Sequence, residues 1–133
     1  MNEKIIRFLQ QQTCATICFV DEQGKPYCFN CFYAFNHEHG LLYFKSPADS
    51  YHSRLIKTNP QIAGTILPDK LNTLLIKGVQ FDGQVLKEQD PLSGKATLLY
   101  HKKHPLALTI TGETHTIRIN RIKLTDGTKR FGK

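Results

Sequence analysis

A chain of 133 residues, 40% hydrophobic and 22% charged, is long enough to bury one core and too short for two. That balance, with no low-complexity tract and no repeat at solenoid spacing, excludes a disordered, fibrous or repeat protein. A formal charge of +7, with a pI near 9.3, favours an anionic partner, whether a phosphorylated ligand, nucleic acid or a membrane surface. The basic residues are scattered apart from HKKH at 101–104 and KR at 129–130, so charge alone does not choose among these.

No apolar run reaches the roughly 18 to 20 residues needed to span a bilayer. The opening MNEKIIRFLQ also lacks the apolar stretch and cleavage site of a signal peptide, and a cytoplasmic protein is expected. Cys14, Cys18, Cys28 and Cys31 are crowded into the first quarter of the chain, a pattern that fits reduced thiols better than a disulfide frame.

Along the chain, Ile5, Phe8 and Leu9 recur at helical spacing and predict a short amphipathic helix over 2–12. Residues 13–20 are β-branched and apolar; the turn residues DEQGKP follow, and 27–35 forms a second strand. NHEHG at 36–40 is the next turn and 41–45 the third strand, completing an antiparallel meander. Tyr51, Leu55 and Ile56 return to helical spacing, with Asp49 or Ser50 as N-cap and Pro60 as the stop. Strands are predicted over 61–67 and 74–87, the latter carrying Gly78 and Gly83 as sites of bulge or bend. Asp90 and Pro91 begin a helix running to about Lys103, and strands near 106–111 and 114–125 end the chain. This order, with no repeated βαβ unit, predicts a single α+β domain over 1–133. Its core would be an antiparallel six- or seven-stranded split β-barrel with short flanking helices.

The chemical motifs are few. Cys28-x-x-Cys31, with His37 and His39 nearby, suggests zinc at first sight. On a strand, however, residues three apart point to opposite faces and cannot share one metal, so no metal site is expected. A redox CxxC needs a helix start, and this one lies in mid-strand. His37, His39, His101 and His104 fall in turns or beside lysines, where exposure explains them. LLIKGVQF resembles the Lys-Gly-aromatic run of RNA-binding sheets, but Val79 stands where a ring would stack, which argues against nucleic acid. The best local signal is KSPADSYHSR at 45–54. Hydroxyls, cations and unpaired amides at a helix start there suit a phosphate.

FNCFYAF at 29–35, SPADSYHSR, NPQIAGTI at 59–66, KGVQFDGQV at 77–85 and IKLTDGTKRFGK at 122–133 together resemble the flavin-binding split barrels of the pyridoxamine phosphate oxidase superfamily. The similarity covers nearly the whole chain and is nearest to an uncharacterised bacterial group. It implies a homodimer with FMN in clefts between subunits, acting on an unknown small molecule. Phe29, Asn30, Cys31 and Phe32 would then run along the isoalloxazine, Ser46, Ser50 and His52 would bind the phosphate, and Lys77 would reach toward the flavin. The oxidase's arginine and its Arg-Lys pair appear here as Phe29, Tyr51 and His52. A histidine is a conditional cation near pH 6.5, which makes phosphate affinity pH-dependent. The alternative is a non-enzymatic barrel holding another phosphorylated or planar ligand, such as haem.

Overall fold

The computed structural model describes residues 1–127; the KR pair at 129–130 and the last six residues of the 122–133 motif lie outside the described residues. The chain begins with helix α1 (Glu3–Gln11), capped by the Asn2 side chain, which accepts from the Ile5 amide at 2.9 Å. Its buried face is Ile5, Phe8 and Leu9, the residues whose spacing predicts it. Strands β1 (Cys14–Val20) and β2 (Pro26–Asn36) form the first hairpin. Asp21 closes the turn by accepting from the amides of Gln23 and Lys25, both at 2.9 Å, and Gly24 supplies the left-handed residue at φ 80°.

Strand β3 (Leu41–Ser46), helix α2 (Tyr51–Thr58) and strand β4 (Gln61–Ile66) follow. Ser50 is the N-cap of α2, its hydroxyl accepting from the Ser53 amide. Strands β5 (Lys77–Val85) and β6 (Glu113–Asp126) complete a closed antiparallel barrel in the order β1-β2-β3-β6-β5-β4. Helix α3 (Ala96–Lys103) packs outside it.

Three sequence expectations change. The strand predicted from residue 74 starts at Lys77, because β4 ends at Ile66, opposite Val79; Leu75 instead bridges back to Asn72, and the Ile76 carbonyl accepts from the Gly127 amide. Leu74 is 75% exposed there. The helix predicted over 90–103 is interrupted: Asp90 caps only a 3-10 turn (Pro91–Ser93), and α3 starts beyond Gly94. The strand predicted near 106–111 is instead a 3-10 turn over Pro105–Thr109, with Leu106 and Leu108 exposed and no strand beside them. The barrel therefore has six strands.

Of the two glycines suspected in β5, Gly78 pairs regularly with Thr125, while the register shifts at Gly83. Asp82 faces Arg121 and Gly83 faces Ile119, so Asn120 is the extra residue of a bulge on β6. The close crossing requires glycine, since a Cβ at 83 would overlap the Arg118 carbonyl.

Alternation along β2 sends Tyr27, Phe29, Cys31 and Tyr33 into the barrel and Cys28, Asn30 and Phe32 outward. The interior is filled by these rings with Phe19, Phe44 and Phe81 and is closed by α1 and α2. A second cluster, built from Ala34, Leu41, Tyr43 and Tyr100, binds α3 to the outer face. Gly83→Ala is expected to cost about 1–3 kcal/mol through overpacking, visible as an earlier urea midpoint with an unchanged slope.

Candidate functional site

The site is built where the start of α2 meets β2 and β3. Ser46 ends β3 almost fully buried, with its Oγ 2.6 Å from Ser53 Oγ. Ser53 Oγ donates to the Pro47 carbonyl at 2.9 Å, so its lone pairs accept from Ser46 and from Ser50, the latter at 2.9 Å. This triad fixes the 46–53 segment. Ser50 caps only the Ser53 amide, which leaves the amides of Tyr51 and His52 without an intrahelical partner at the positive end of the helix.

His52 lies flat on Phe29, with ring centroids 3.8 Å apart and planes 9° from parallel. Phe29 also touches Phe44 at 5.6 Å, and Phe44 touches His115 at 5.0 Å. A continuous line of rings therefore leads from the α2 start to β6. Burial lowers the pKa of His52. Burial also lowers that of His115, with opposition from Glu113 and reinforcement from His52 and Lys57. The site thus holds two imidazoles biased toward the neutral form.

Beside this line lies a groove of about 980 Å³ between the end of β5, the start of α3 and the first residues of β6. Its wall includes His115 and Thr116, whose Nε2 and Oγ1 are buried side-chain atoms lacking a hydrogen-bond partner among the described residues. Buried polar atoms of that kind are uncommon and mark a place where a ligand or water completes the bonding. His101 stands at the rim, held by Lys45, which donates to its Nε2 at 2.9 Å; the ring's Nδ1 then donates to the Thr97 carbonyl at 2.7 Å.

The structure brings Phe29, Ser46, Ser50 and His52 together. Asn30 and Phe32 face outward: Asn30 Oδ1 accepts from Thr16 at 2.6 Å, and Phe32 is 57% exposed beside His104. Cys31 points inward among the core residues, and burial pushes its thiol up to about 12. Lys77 sits at the other end of the barrel, because β5 starts beside the C-terminus of β4 while α2 leads into its N-terminus. Its ammonium lies 5.6 Å from the Phe8 ring.

The HKKH run is not an open basic patch. His101, Lys103 and His104 are half-buried, and Lys103 and His104 bind the carbonyls of Gln12 and Tyr33. Sequence reasoning missed His115. Its signal was a lone histidine in phase with Ile117 and Ile119 on the inward face of β6. Among the described residues no helix is long and apolar enough to cross a membrane, and no group of three metal-ligating side chains occurs.

A closed six-stranded antiparallel barrel with helices over its ends is the split-barrel fold, seen in solved flavin- and haem-binding proteins. A haem-binding protein from Mycobacterium smegmatis superposes with a TM-score of 0.79 at 13% identity, covering 96% of this chain and 53% of that longer one. The haem-storage protein HutZ from Vibrio cholerae gives 0.70 at 16%, covering 93% of each chain. A FAD-binding protein from Mesorhizobium loti gives 0.72 at 15%, covering 95% of each. No family model matches the chain. The UPF0306 protein plu4501 from Photorhabdus laumondii, however, is 32% identical over 133 residues, covering 99% of this chain and 92% of the relative. The chain belongs to the UPF0306 family.

The two imidazoles give stability a pH signature. Their folded pKa values lie below the unfolded value near 6.5, so the unfolded chain binds protons first as the pH falls. Their contribution is full above that value and is lost as the pH drops through it toward the folded values. The urea midpoint is expected to decline between roughly pH 7 and 5, and to decline less in His115→Asn. Equal slopes in the two proteins would contradict this assignment.

Proposed function

We propose that the chain binds FMN as a homodimer, with the flavin ring beside β2 and the phosphate at the start of α2. The observation that carries this reading is that the residue at the second position of α2, His52, stacks on Phe29, which joins the helix start, whose first amides lack intrahelical partners, to an apolar ring. An anion donor set and an apolar wall thereby adjoin. The amides and hydroxyls would hold the phosphate, and His52 would add a cation when protonated. Asn30 and Phe32 would meet the ring from the outer face, Cys31 would pack behind it, and Lys77 would approach from the opposite barrel end, suited to a cofactor that spans two subunits.

The FAD-binding neighbour from Mesorhizobium loti supports a flavin-type cofactor, as does a solved F420 reductase, which superposes with a TM-score of 0.69 at 18% identity. Bound FMN supplies hydride or electron transfer, and the reading extends to a flavin-dependent oxidoreductase acting on a small molecule. The protein's part is to orient the ring and exclude water from it. Exposed Phe32, Leu67, Leu71 and Leu74 offer apolar surface for the second subunit.

A second reading, haem in a non-enzymatic barrel, is favoured by His115, which lines the groove and whose buried Nε2 lacks a hydrogen-bond partner among the described residues, and by the two haem-binding neighbours. Titration distinguishes them. FMN fluorescence should be quenched on binding, and reduction by NADPH or NADH followed by reoxidation identifies the enzyme. A haem Soret shift that disappears in His115→Ala, with no response to FMN, selects the second reading.

Ser50→Ala with His52→Ala is expected to weaken FMN roughly tenfold or more, since charge-assisted bonds contribute about 1.5–3 kcal/mol each. The wild-type affinity should rise as the pH falls below about 6.5. The phosphate favours the imidazolium that burial disfavours in the free protein, and binding therefore takes up a proton. Calorimetry across pH checks this, and His52→Lys should flatten the profile.

A further inference from the structure

Cys18 and Cys28 are directly opposed across the β1–β2 hairpin. Opposed residues in an antiparallel pair stand about 4.5–5.5 Å apart at Cα, inside the range that a disulfide accepts. The next pair along, Phe19 and Tyr27, turns inward with ring centroids 5.4 Å apart, which sends both cysteines to the outer face. There the two Sγ atoms are 2.6 Å apart, roughly 0.5 Å beyond a covalent S–S bond. Cys28 is exposed and Cys18 half-buried.

The remaining thiols are placed differently. Cys31 is turned into the core, and Cys14 is opposed by Phe32 rather than by another thiol. The hairpin therefore selects one pair out of the four.

We propose that Cys18 and Cys28 form an outward-facing dithiol that a hydroperoxide oxidises reversibly to a disulfide within one chain. The exposed Cys28, as thiolate, attacks the peroxide oxygen. The O–O bond breaks, Cys28 becomes a sulfenic acid, and with hydrogen peroxide the departing hydroxide takes up a proton and leaves as water. Cys18 sulfur then attacks Cys28 sulfur, the S–O bond breaks, and the second hydroxide leaves as water with the Cys18 proton. Two thiols lose two electrons, one peroxide gains them, and two waters form. Burial, with Cys28 as neighbour, pushes the Cys18 thiol up to about 11, which leaves the first attack on peroxide to the exposed Cys28. The bond would join β1 to β2 directly over the Phe19, Tyr27 and Phe29 wall.

The test uses the full chain, reduced with dithiothreitol, desalted, treated with one equivalent of hydrogen peroxide without denaturant and then alkylated with iodoacetamide. Two of the four cysteines should escape alkylation, peptide mapping should show the 18–28 link, and dithiothreitol should restore all four. Cys28→Ser should lose the cross-link and Cys14→Ser should keep it. Four alkylated thiols after peroxide would overturn the proposal. So would a link through Cys14 or Cys31, a link between two chains, or over-oxidation without any link.

Discussion

The barrel depends on β6 serving two neighbours at once. Its first part pairs with β3 and its remainder with β5, with Ile117 and Arg118 shared between them, while β4 closes the other side of the barrel by pairing with β1 and β5. A strand of 14 residues cannot follow both partners without changing direction, and the extra residue at Asn120 opposite Gly83 provides the bend. Because β6 carries His115 and Thr116 just before that bend, the same closure forms one wall of the groove. Fold and site are consequences of one pairing.

Much of the fold was legible because the signals were local. Ser50 and Asp90 each cap the turn that follows them, and Gly24 turns the first hairpin. The misreadings share a cause. Residues 74–76 and 106–110 are as apolar as the true strands, but neither segment enters the barrel's ladders. Pairing is non-local, so composition could not reveal its absence. The third helix is divided at Lys95, whose backbone departs from helical geometry after the capped 3-10 turn, and Asp90 stabilises only the first piece.

The candidate site was legible where one short segment contains it. Ser46, Ser50 and His52 lie within seven positions and meet through Ser53 and Phe29. Alternation in FNCFYAF also separated correctly, with Phe29, Cys31 and Tyr33 inward and Asn30 and Phe32 outward. His115 was hidden because its importance comes from a strand about 70 residues away in sequence being brought onto Phe44 by β3–β6 register. Lys77 shows the converse. Its motif is recognisable, but antiparallel order carries it away from α2 within one subunit.

The electrostatics of the site follow from this arrangement. A fixed cation beside Phe29 and Phe44 would need desolvation within an apolar cluster. The cationic side chains of α2, Arg54 and Lys57, remain on its exposed side. What is left at the ring stack is a pair of backbone amides, which carry no net charge to desolvate, and imidazoles that lose theirs on burial. Such a site is stable when empty because nothing charged is stranded in it. On the proposed reading, an arriving phosphate would restore the proton on His52 and create its own counter-charge, coupling affinity to pH through the same burial that stabilises the fold.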